Sequence, residues 1–367
     1  MATGQITQVP EAVRTLIQES SVKKVHGQGG GSTQPRPRDL AIVQYHPDLQ
    51  HLYGKEVKHS LLVSLAETSK NPFFGGACVF AETTGELYIT SGLLSSVGSS
   101  RLPIVIISQV KLNRKPGSPW EPLESFQWSK LRPPTNMPMP AGASRLKDGI
   151  VYCSQGEPVR GSGGLYYMPF GRPPEPLVTS YFGRDFNGVQ DVVPSDSDSV
   201  LWFTDNYSAF DNDIRPSPLF PSQVYRYAIE SGELKAVAND LSRPQAIAIS
   251  NNQKTLYVSD LGSRHNEYPD ILIGGGIFAY DIQDHSESQF LTNKRLFAYP
   301  KHGSAQKLKC DGRGNILAAC ADGVEVWNPR GILLGVFEVP DGATSFFMND
   351  QEMFICSKQR LWWMQLK

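Results

Sequence analysis

A repeated strand–turn–strand pattern constrains this chain more than any other feature of its sequence. Three segments, at 190–205, 245–260 and 306–323, each begin with a glutamine, run on as an apolar strand and a polar turn, and end in a second apolar strand. Such self-similarity indicates one supersecondary unit used several times. Gln190, Gln245 and Gln306 therefore occupy equivalent places. If those places face a common centre, three amide side chains converge there.

Further segments of the same form begin near residues 76, 141 and 346, without the glutamine. Six units at a spacing of roughly 40–60 residues predict an all-β fold, a six-bladed β-propeller with four strands per blade. We expect residues 1–39 to form an N-terminal extension or loop and residues 40–367 to form the single propeller domain. In this fold the innermost strands line a central channel, and their first residues point into one mouth, where ligands bind.

The charge balance excludes several classes of partner. The chain has 35 Lys+Arg and 36 Asp+Glu, so no basic field predicts binding to nucleic acid or to an anionic membrane. The N-terminus has no apolar signal-peptide core, and no stretch approaches the roughly 18 apolar residues of a membrane span. We therefore expect a cytoplasmic protein that acts on small molecules, and the sequence leaves its oligomeric state open.

The cysteines and histidines give no metal motif. The five cysteines lie far apart without a CxxC pair, and the seven histidines have no HxH or HxxxH spacing. Buried, reduced thiols are the favoured interpretation of the cysteines, with one disulfide left open.

Several segments, taken with their order and spacing, resemble a known family from about residue 40 to the end. They are FFGGACVFAETTGELYIT, GGLYYM, VLWFTDNYSAF, RPSPLFPSQVYRY, RPQAIAISNNQKTLYVSD and CDGRGNILAACADGVEVWNP. The family is that of the SMP-30/gluconolactonase/lactonohydrolase-like propellers, particularly its fungal lactonohydrolase branch. The resemblance implies lactone hydrolysis assisted by one divalent cation, usually calcium or zinc, held at the blade starts.

The chain departs from this family at those ligand positions. Gly76 stands where the family has a ligand Glu, Gln190 and Gln245 where it has ligand Asn residues, and Gln306 where it has an Asp that acts as ligand and base. Ala141 begins the segment that corresponds to an Asn-Gly pair. Calcium prefers sites with carboxylate charge, and amides are poor ligands beside carboxylates. We therefore expect no bound metal, no other cofactor and no activated water. Convergence of three positions on glutamine favours a new function over drift.

The lost ligands lead to a second resemblance, to the fungal hetero-Diels–Alderases that make tropolonic sesquiterpenoids. That resemblance implies that a hydroxymethyl-tropolone loses water to give a quinone methide, which adds to a strained double bond of a humulene-type macrocycle. Such a cycloaddition needs two partners held in a near-attack pose. It also needs hydrogen-bond donors on the tropolone oxygens and exclusion of water.

The candidate catalytic residues follow from this chemistry, each beside a plainer alternative. The three glutamines are the first choice for the donors, and Lys307 adds a cation or is a solvated or paired lysine. The acid that assists dehydration is sought in Tyr207 and His265, either of which taken singly is more often a packing residue. The predicted catalytic set is Gln190, Gln245, Gln306, Lys307, Tyr207 and His265.

The predicted substrate-binding set is less specific. Gly76 would enlarge the cavity, Ala141 is a further candidate at its blade start, and Asp205 and Asp260 are pocket acids or turn-capping residues. Five large apolar residues are candidates for the apolar walls of the cavity, with core or loop packing as the alternative for each: Phe74, Trp128, Met137, Met139 and Phe346.

Two other functions stay open. One is a metal-dependent lactone hydrolase whose ligands are other residues, such as Asp191, Asp205 or Asp260, and the other is a non-catalytic propeller that binds a small molecule.

Overall fold

The fold is a six-bladed β-propeller, which confirms the predicted fold class. A computed structural model describes residues 2–3, 5–8, 39–53, 58–95, 102–114, 123–131, 135–264, 272–273, 275–286 and 288–366. Each of the six sequence units supplies the two innermost strands of one blade. His265, one of the predicted acids, lies outside the described residues.

Blades 1 to 4 each contain four antiparallel strands that run in chain order from the channel to the rim. Blade 1 consists of Cys78–Ala81, Glu86–Thr90, Ile107–Arg114 and Leu123–Leu131. Blade 2 consists of Pro140–Leu146, Gly149–Ser154, Gly164–Pro169 and Glu175–Val178. Blade 3 consists of Val189–Pro194, Val200–Asp205, Gln223–Ala228 and Leu234–Ala238. Blade 4 consists of Pro244–Ile249, Thr255–Asp260, Gly276–His285 and Ser288–Ala298.

Blades 5 and 6 are completed by strands from the beginning of the chain. Blade 5 consists of Lys307–Cys310, Ile316–Cys320, Gly323–Trp327 and Leu333–Glu338, extended by Ala41–Gln44 and then by Gln5–Gln8. Blade 6 consists of Ser345–Met348, Glu352–Ser357 and Arg360–Gln365, followed by Lys58–Ser64 and Ala2–Thr3. Pairing between the two ends of the sequence closes the ring. The expected domain boundary at residue 39 stays a prediction.

The remaining regular elements are short. They are a 3₁₀-helix at Pro47–Leu49, α-helices at Gln50–Tyr53 and Ser208–Asp211, and two-stranded ribbons of Ser180–Tyr181 with Arg184–Asp185 and of Ser263–Arg264 with Leu272–Ile273. Within the described ranges, no helix has the length and apolar character needed to cross a membrane.

The hydrophobic core lies between neighbouring blades, and this explains the continuous apolar runs in the sequence. Leu201, Trp202 and Phe203 are consecutive in blade 3, and none is more than 1% exposed. Leu201 and Phe203 pack in a cluster shared with blade 2, whereas Trp202 packs in a cluster shared with blade 4. A strand covered on both faces buries every side chain, so strict alternation of polar and apolar residues is lost.

Two glycines begin third strands where a side chain has no room. Gly164 and Gly323 have φ angles of 143° and 147°. A Cβ atom on Gly164 would lie 2.1 Å from the carbonyl oxygen of Val178 in the fourth strand. A Cβ atom on Gly323 would lie 2.0 Å from the carbonyl oxygen of Phe337, also in the fourth strand of its blade. Glycine therefore permits the close approach of the third and fourth strands of these blades at the point where they start to pair.

Candidate functional site

A cavity of about 450 Å³ lies where the first residues of the inner strands of all six blades meet. We call it the mouth cavity. Its lining includes six of the residues predicted for the site: Gly76, Ala141, Gln190, Gln245, Gln306 and Lys307. The equivalent positions of the repeated units therefore do converge, as expected for strands that line a propeller channel. A volume in the range of roughly 300–1,000 Å³ is typical of sites for small organic molecules.

An irregularity at the start of the inner strand of blade 3 brings two consecutive residues to the cavity. Side chains of a regular strand alternate between its faces. The register between blade 3's two inner strands shifts between Val189 and Val192, and both Gln190 and Asp191 line the cavity. The same shift occurs in blade 4 between Pro244 and Ile247. These bulges aim polar side chains at the channel mouth, a common use of β-bulges beside functional sites.

Hydroxyl groups on the second strands fix the inner strands to one another. The Thr204 hydroxyl accepts a hydrogen bond from the N–H of Asp191 at 3.1 Å and donates to the carbonyl oxygen of Gln245 at 2.7 Å. Thr90 links Ala77 to Ala141 in the same way, with both distances 2.7 Å. At the third equivalent place, Ser259 accepts from Ala246 and donates to Ala305. Each hydroxyl joins two blades and holds the backbone that carries the cavity residues.

An ion pair crosses the mouth cavity. The Nζ atom of Lys307 in blade 5 lies 2.6 Å from Oδ1 of Asp191 in blade 3, and the two side chains are 14% and 3% exposed. The second oxygen of Asp191 accepts a hydrogen bond from the N–H of Ile247 at 3.2 Å. Burial raises the pKa of Asp191 above its ordinary value, while the Lys307 ammonium opposes that rise. A Cβ on Gly142 would lie 2.7 Å from Oδ1 of Asp191, so this glycine leaves room for the carboxyl group.

The three glutamines differ in how firmly they are held. Gln190 is 4% exposed, and its amide N–H donates to the carbonyl oxygen of Gly188 at 2.8 Å. Gln306 donates to the Ser304 hydroxyl at 3.3 Å. The side chain of Gln245 forms no hydrogen bond within the described part of the chain, although the residue lines the cavity. Gln245 is therefore the amide most available to a ligand.

The inner strand of blade 1 contributes little side-chain bulk to the cavity. Gly75, Gly76, Ala77 and Gly92 line this side, together with Ser91, Leu93 and Val105. Gly76 was predicted to enlarge the cavity, and the structure adds a packing reason for glycine there. A Cβ on Gly76 would lie 2.2 Å from Oγ1 of Thr90, the hydroxyl that joins blades 1 and 2. This wall offers a ligand no side-chain polar group from blade 1's inner strand.

Asp205 and Asp260 are turn-capping residues, and neither lines the cavity. Asp205 accepts hydrogen bonds from the N–H groups of Asn187 and Gly188, at 3.1 and 2.7 Å. Asp260 accepts from Ser242, Arg243 and Gly262 at 2.7–2.9 Å. Both carboxyl groups thus hold the loops that lead into the inner strands of their own blades. Burial raises the pKa of Asp205 to about 7.

The structure places Tyr207 away from the mouth cavity. It is the residue before the helix Ser208–Asp211, and the guanidinium carbon of Arg243 lies 5.1 Å from the centre of its ring. A packing role is therefore the better interpretation of Tyr207. Nothing in the geometry supports it as the acid for dehydration.

The predicted apolar walls are instead parts of the core. Phe74 is fully buried against Trp128, with ring centroids 5.5 Å apart. Phe346 belongs to the core between blades 5 and 6, and Met137 to the core between blades 1 and 2. Met139 packs with Val105, Ala209 and Ile214. These placements correct the prediction, because large apolar side chains beside the inner strands turn into the interfaces between blades.

Sequence reasoning missed several residues that line the cavity. Gln155 follows the second strand of blade 2, Ser345 begins the inner strand of blade 6, and Lys358 follows blade 6's second strand. Asp191 was considered only as a metal ligand. No sequence signal marks the loop residue Lys358.

The lining does not fit the divalent cation that the family resemblance implies. Its four charged residues are Asp191, Asp341, Lys307 and Lys358, which give no net charge. Asp191 pairs with Lys307, and Asp341 pairs with Arg360. No group of three or more His, Cys, Asp or Glu side chains that could hold a metal occurs among the described residues. The carboxylates that a calcium site needs are thus absent from the blade starts or engaged by cations.

Comparison with known proteins agrees with the fold and identifies the family. Residues 137–359, well over half of the chain, match the family described as SMP-30/Gluconolactonase/LRE-like region, and the chain belongs to that family. It is 26% identical to the lactonohydrolase oryL of Aspergillus oryzae over 275 residues, and 27% identical to the gluconolactonase of Zymomonas mobilis over 175 residues. The matches cover 70% and 46% of this chain, but only 58% and 46% of those relatives.

Solved structures share the architecture. A gluconolactonase from Xanthomonas campestris superposes with a TM-score of 0.68 at 20% identity, covering 93% of this chain and 99% of that protein. Regucalcin from Agrobacterium tumefaciens, described as a calcium-binding protein, gives a TM-score of 0.51 at 14% identity, covering 83% of this chain and 94% of that protein. At such identities the likeness concerns the fold alone.

Proposed function

We propose that this protein is a metal-independent hetero-Diels–Alderase that joins a tropolone quinone methide to a humulene-type sesquiterpene. The observation that carries the proposal is the replacement of a metal-binding mouth by three amides and a Lys307–Asp191 ion pair. The hydroxymethyl-tropolone first loses water to give the quinone methide. In the cycloaddition three π bonds are consumed, two σ bonds join the oxygen and the exocyclic carbon of the quinone methide to the two alkene carbons, and one new C=C bond forms in the tropolone-derived ring. The cycloaddition itself loses no atom and needs no electrons from outside.

The blades 3 to 5 side of the cavity suits the tropolone partner. The Gln245 amide forms no hydrogen bond within the described residues, and the ammonium group of Lys307 lines the same cavity. Donors aimed at the tropolone oxygens would stabilise the negative charge that develops on them as the heterodiene reacts. Because the lining carries no net charge, it favours an uncharged molecule with several oxygen atoms.

The blade 1 side suits an apolar partner. The glycines and Ala77 leave space for a bulky ring to approach closely, and Leu93 and Val105 add apolar side chains on the same side. Two reactants with different polarity would thus be held face to face in one cavity of about 450 Å³. Holding both in a near-attack pose is the main contribution that such a reaction requires from a protein.

The proposal is tested by incubating the purified protein with a hydroxymethyl-tropolone and a humulene alcohol, with and without EDTA, beside a metal analysis of the same sample. An enantioselective adduct whose rate is unaffected by EDTA supports the proposal. A stoichiometric cation, with activity lost on chelation and regained on its return, contradicts it. Ligand binding without any turnover would instead indicate a non-catalytic binding propeller.

Family membership favours one second candidate, a lactone hydrolase. This function predicts hydrolysis of a sugar lactone or an aromatic lactone by the same preparation. The assay is run with added calcium and with added zinc, because the family's chemistry depends on a cation as a Lewis acid. Hydrolysis that requires one of these ions, together with no adduct in the first assay, would replace the proposed function.

A further inference from the structure

We propose that Lys307 is the general acid of the dehydration step, and that its ammonium group protonates the leaving hydroxyl of the hydroxymethyl-tropolone. This inference rests on the proposed function, which requires a quinone methide and therefore a group that assists the loss of water. The two residues first considered for that role do not supply it. Tyr207 lies away from the mouth cavity, and His265 lies outside the described residues. The acid is therefore sought among the residues that line the cavity.

Few groups of the lining can release a proton. Among the described residues it contains no histidine, tyrosine, cysteine or glutamate, and its titratable side chains are Asp191, Asp341, Lys307 and Lys358. Asp341 is paired with Arg360. Lys358 is exposed, in the two-residue turn between the second and third strands of blade 6. Lys307 is the lysine of this set that lies beside the amides of blades 3 to 5, where the proposed function places the tropolone.

The ammonium group of Lys307 is held by its partner and still has donors for a ligand. Among the described residues its Nζ atom donates one hydrogen bond, to Oδ1 of Asp191 at 2.6 Å, and the side chain is 14% exposed. An ammonium group has three N–H donors, so two remain. The carboxylate balances the charge of the ammonium group, and its second oxygen is fixed by the N–H of Ile247 at 3.2 Å. Lys307 therefore offers protons to the cavity from a fixed position.

The proton transfers balance on one nitrogen atom. As the bond between the exocyclic carbon and the hydroxyl oxygen breaks, that oxygen keeps the electron pair, takes a proton from Lys307 and leaves as water. The tropolone hydroxyl gives its proton to the amine that remains. Its O–H electron pair becomes the carbonyl π bond, and the ring π electrons move into the exocyclic C=C bond. Lys307 ends as an ammonium group paired with Asp191 again, and no other reactant is consumed.

The experiment measures dehydration separately from cycloaddition. In the absence of the terpene, a small thiol traps the quinone methide, and the rate of thioether formation reports dehydration. Two substrates are compared, the hydroxymethyl-tropolone and its acetoxymethyl ester, whose acetate leaves without being protonated. Lys307→Arg keeps a cation that can pair with Asp191, but a guanidinium group does not give up its proton in proteins. We expect this variant to dehydrate the alcohol about 100-fold more slowly than the wild type and to convert the ester at a similar rate.

The same strand offers a matched control. Lys309 lies two residues after Lys307, its Nζ atom donates to the carbonyl oxygen of Met348 at 2.6 Å, and it does not line the cavity. Lys309→Met should leave the rates for both substrates unchanged. Lys358→Met tests the other lysine of the lining and should keep the wild-type ratio of the two rates. Urea denaturation shows whether each variant is folded.

Unchanged dehydration by Lys307→Arg, equal slowing for alcohol and ester, or a selective loss for the alcohol in Lys358→Met would overturn the inference, as would a wild type that does not accelerate dehydration. Should Lys307→Arg fail to fold, Lys307→Met/Asp191→Leu, which removes both charges, should show the same selective loss. Dehydration that depends on Lys307 without any terpene adduct would contradict the proposed function and leave this inference intact. A terpene adduct from the ester, with dehydration of the alcohol independent of Lys307, would do the reverse.

Discussion

Nζ of Lys307 lies 2.6 Å from Oδ1 of Asp191, so one ion pair ties the inner strand of blade 5 to that of blade 3 across the channel mouth. Both side chains are largely buried, and Asp191 also accepts the N–H of Ile247 in blade 4. The pair therefore connects three blades at the cavity. It also takes up the one carboxylate among the inner-strand residues of the lining.

Removing the Lys307 ammonium group alone should lower the free energy of unfolding. Lys307→Met leaves Asp191 as an uncompensated buried carboxylate, and we expect a loss of about 3 kcal/mol in the free energy of unfolding. The loss of stability should be smaller in the double variant Lys307→Met/Asp191→Leu, which removes both charges. Adduct formation should be slower than in the wild type in both variants. Urea denaturation with the adduct assay checks this.

The control for that series is Lys294→Met. Lys294 pairs with Asp240 at 3.1 Å, but their side chains are 26% and 52% exposed. Exposed pairs of this kind contribute about 0–1 kcal/mol. An equal loss of stability for the Lys294 and Lys307 variants would contradict the importance assigned to the buried pair.

Gln245→Ala should slow adduct formation roughly 100-fold, the usual effect of removing one donor to a developing oxyanion. Stability should be nearly unchanged, since this side chain forms no hydrogen bond within the described part of the chain. Gln190→Ala should differ by also lowering the unfolding free energy by about 1 kcal/mol, because it loses the hydrogen bond to Gly188. Adduct formation and urea denaturation of both variants check this prediction, and unchanged rates in both would remove the amides from the mechanism.

The repeat in the sequence was sufficient to predict the propeller and the meeting of Gln190, Gln245 and Gln306 at one cavity. Equivalent positions in a radial fold are brought together by symmetry, so no knowledge of side-chain packing was required. The same reasoning could not predict that Asp191 faces the cavity beside Gln190. Strict strand alternation points consecutive residues in opposite directions, and only the bulge between Val189 and Val192 changes this.

The prediction was wrong in the other direction for apolar residues near the strand starts, which were placed at the cavity but lie in the core. Phe74 and Phe346 were expected on the cavity wall, but both are 2% exposed or less and lie in cores between blades. Every blade must cover two faces, so large side chains near the channel are needed for those interfaces first. The blade 1 wall is formed by glycine and alanine with Leu93 and Val105 beside them, and the sequence does not mark these residues as cavity-lining.

Asp205 should make stability depend on pH. Burial raises its pKa to about 7, with the N–H groups of Gly188 and Asn187 opposing the rise. Between about pH 4 and pH 7 the folded protein keeps a proton that the unfolded chain has released, so this group makes the free energy of unfolding fall as pH rises through that interval. Above pH 7 it adds no further change.

Asp205→Asn should remove this part of the pH dependence while keeping an oxygen that can accept from the backbone. The measurement is urea denaturation at several pH values between 4 and 8, for the wild type and the variant. Asp213→Asn, at an exposed position, is the control and should leave the slope unchanged. A steeper fall of stability with pH in Asp205→Asn than in the wild type would contradict the assignment.

Gly76 bears on whether a cation site of the kind that the family resemblance implies could be built by substitution. A Cβ at this position would lie 2.2 Å from Oγ1 of Thr90, which accepts from Ala77 and donates to Ala141. Gly76→Ala should therefore lower the free energy of unfolding by roughly 1–3 kcal/mol, the usual cost of overpacking. Gly312→Ala is the matched control, because the nearest atom to a Cβ there is 3.8 Å away.

The clash with Thr90 makes a double-variant test possible. In a Thr90→Ala background the hydroxyl is gone, so the additional cost of Gly76→Ala should shrink, and urea denaturation of the four proteins gives the coupling between the two positions. Additive losses would show that the Thr90 hydroxyl is not what excludes a side chain at residue 76.

Gly76→Glu alone should lose stability without gaining calcium affinity by calorimetry, because the other blade starts still present amides and Lys307. Packing between blades 1 and 2 would then oppose a ligand side chain at residue 76, in addition to the amides at the other blade starts.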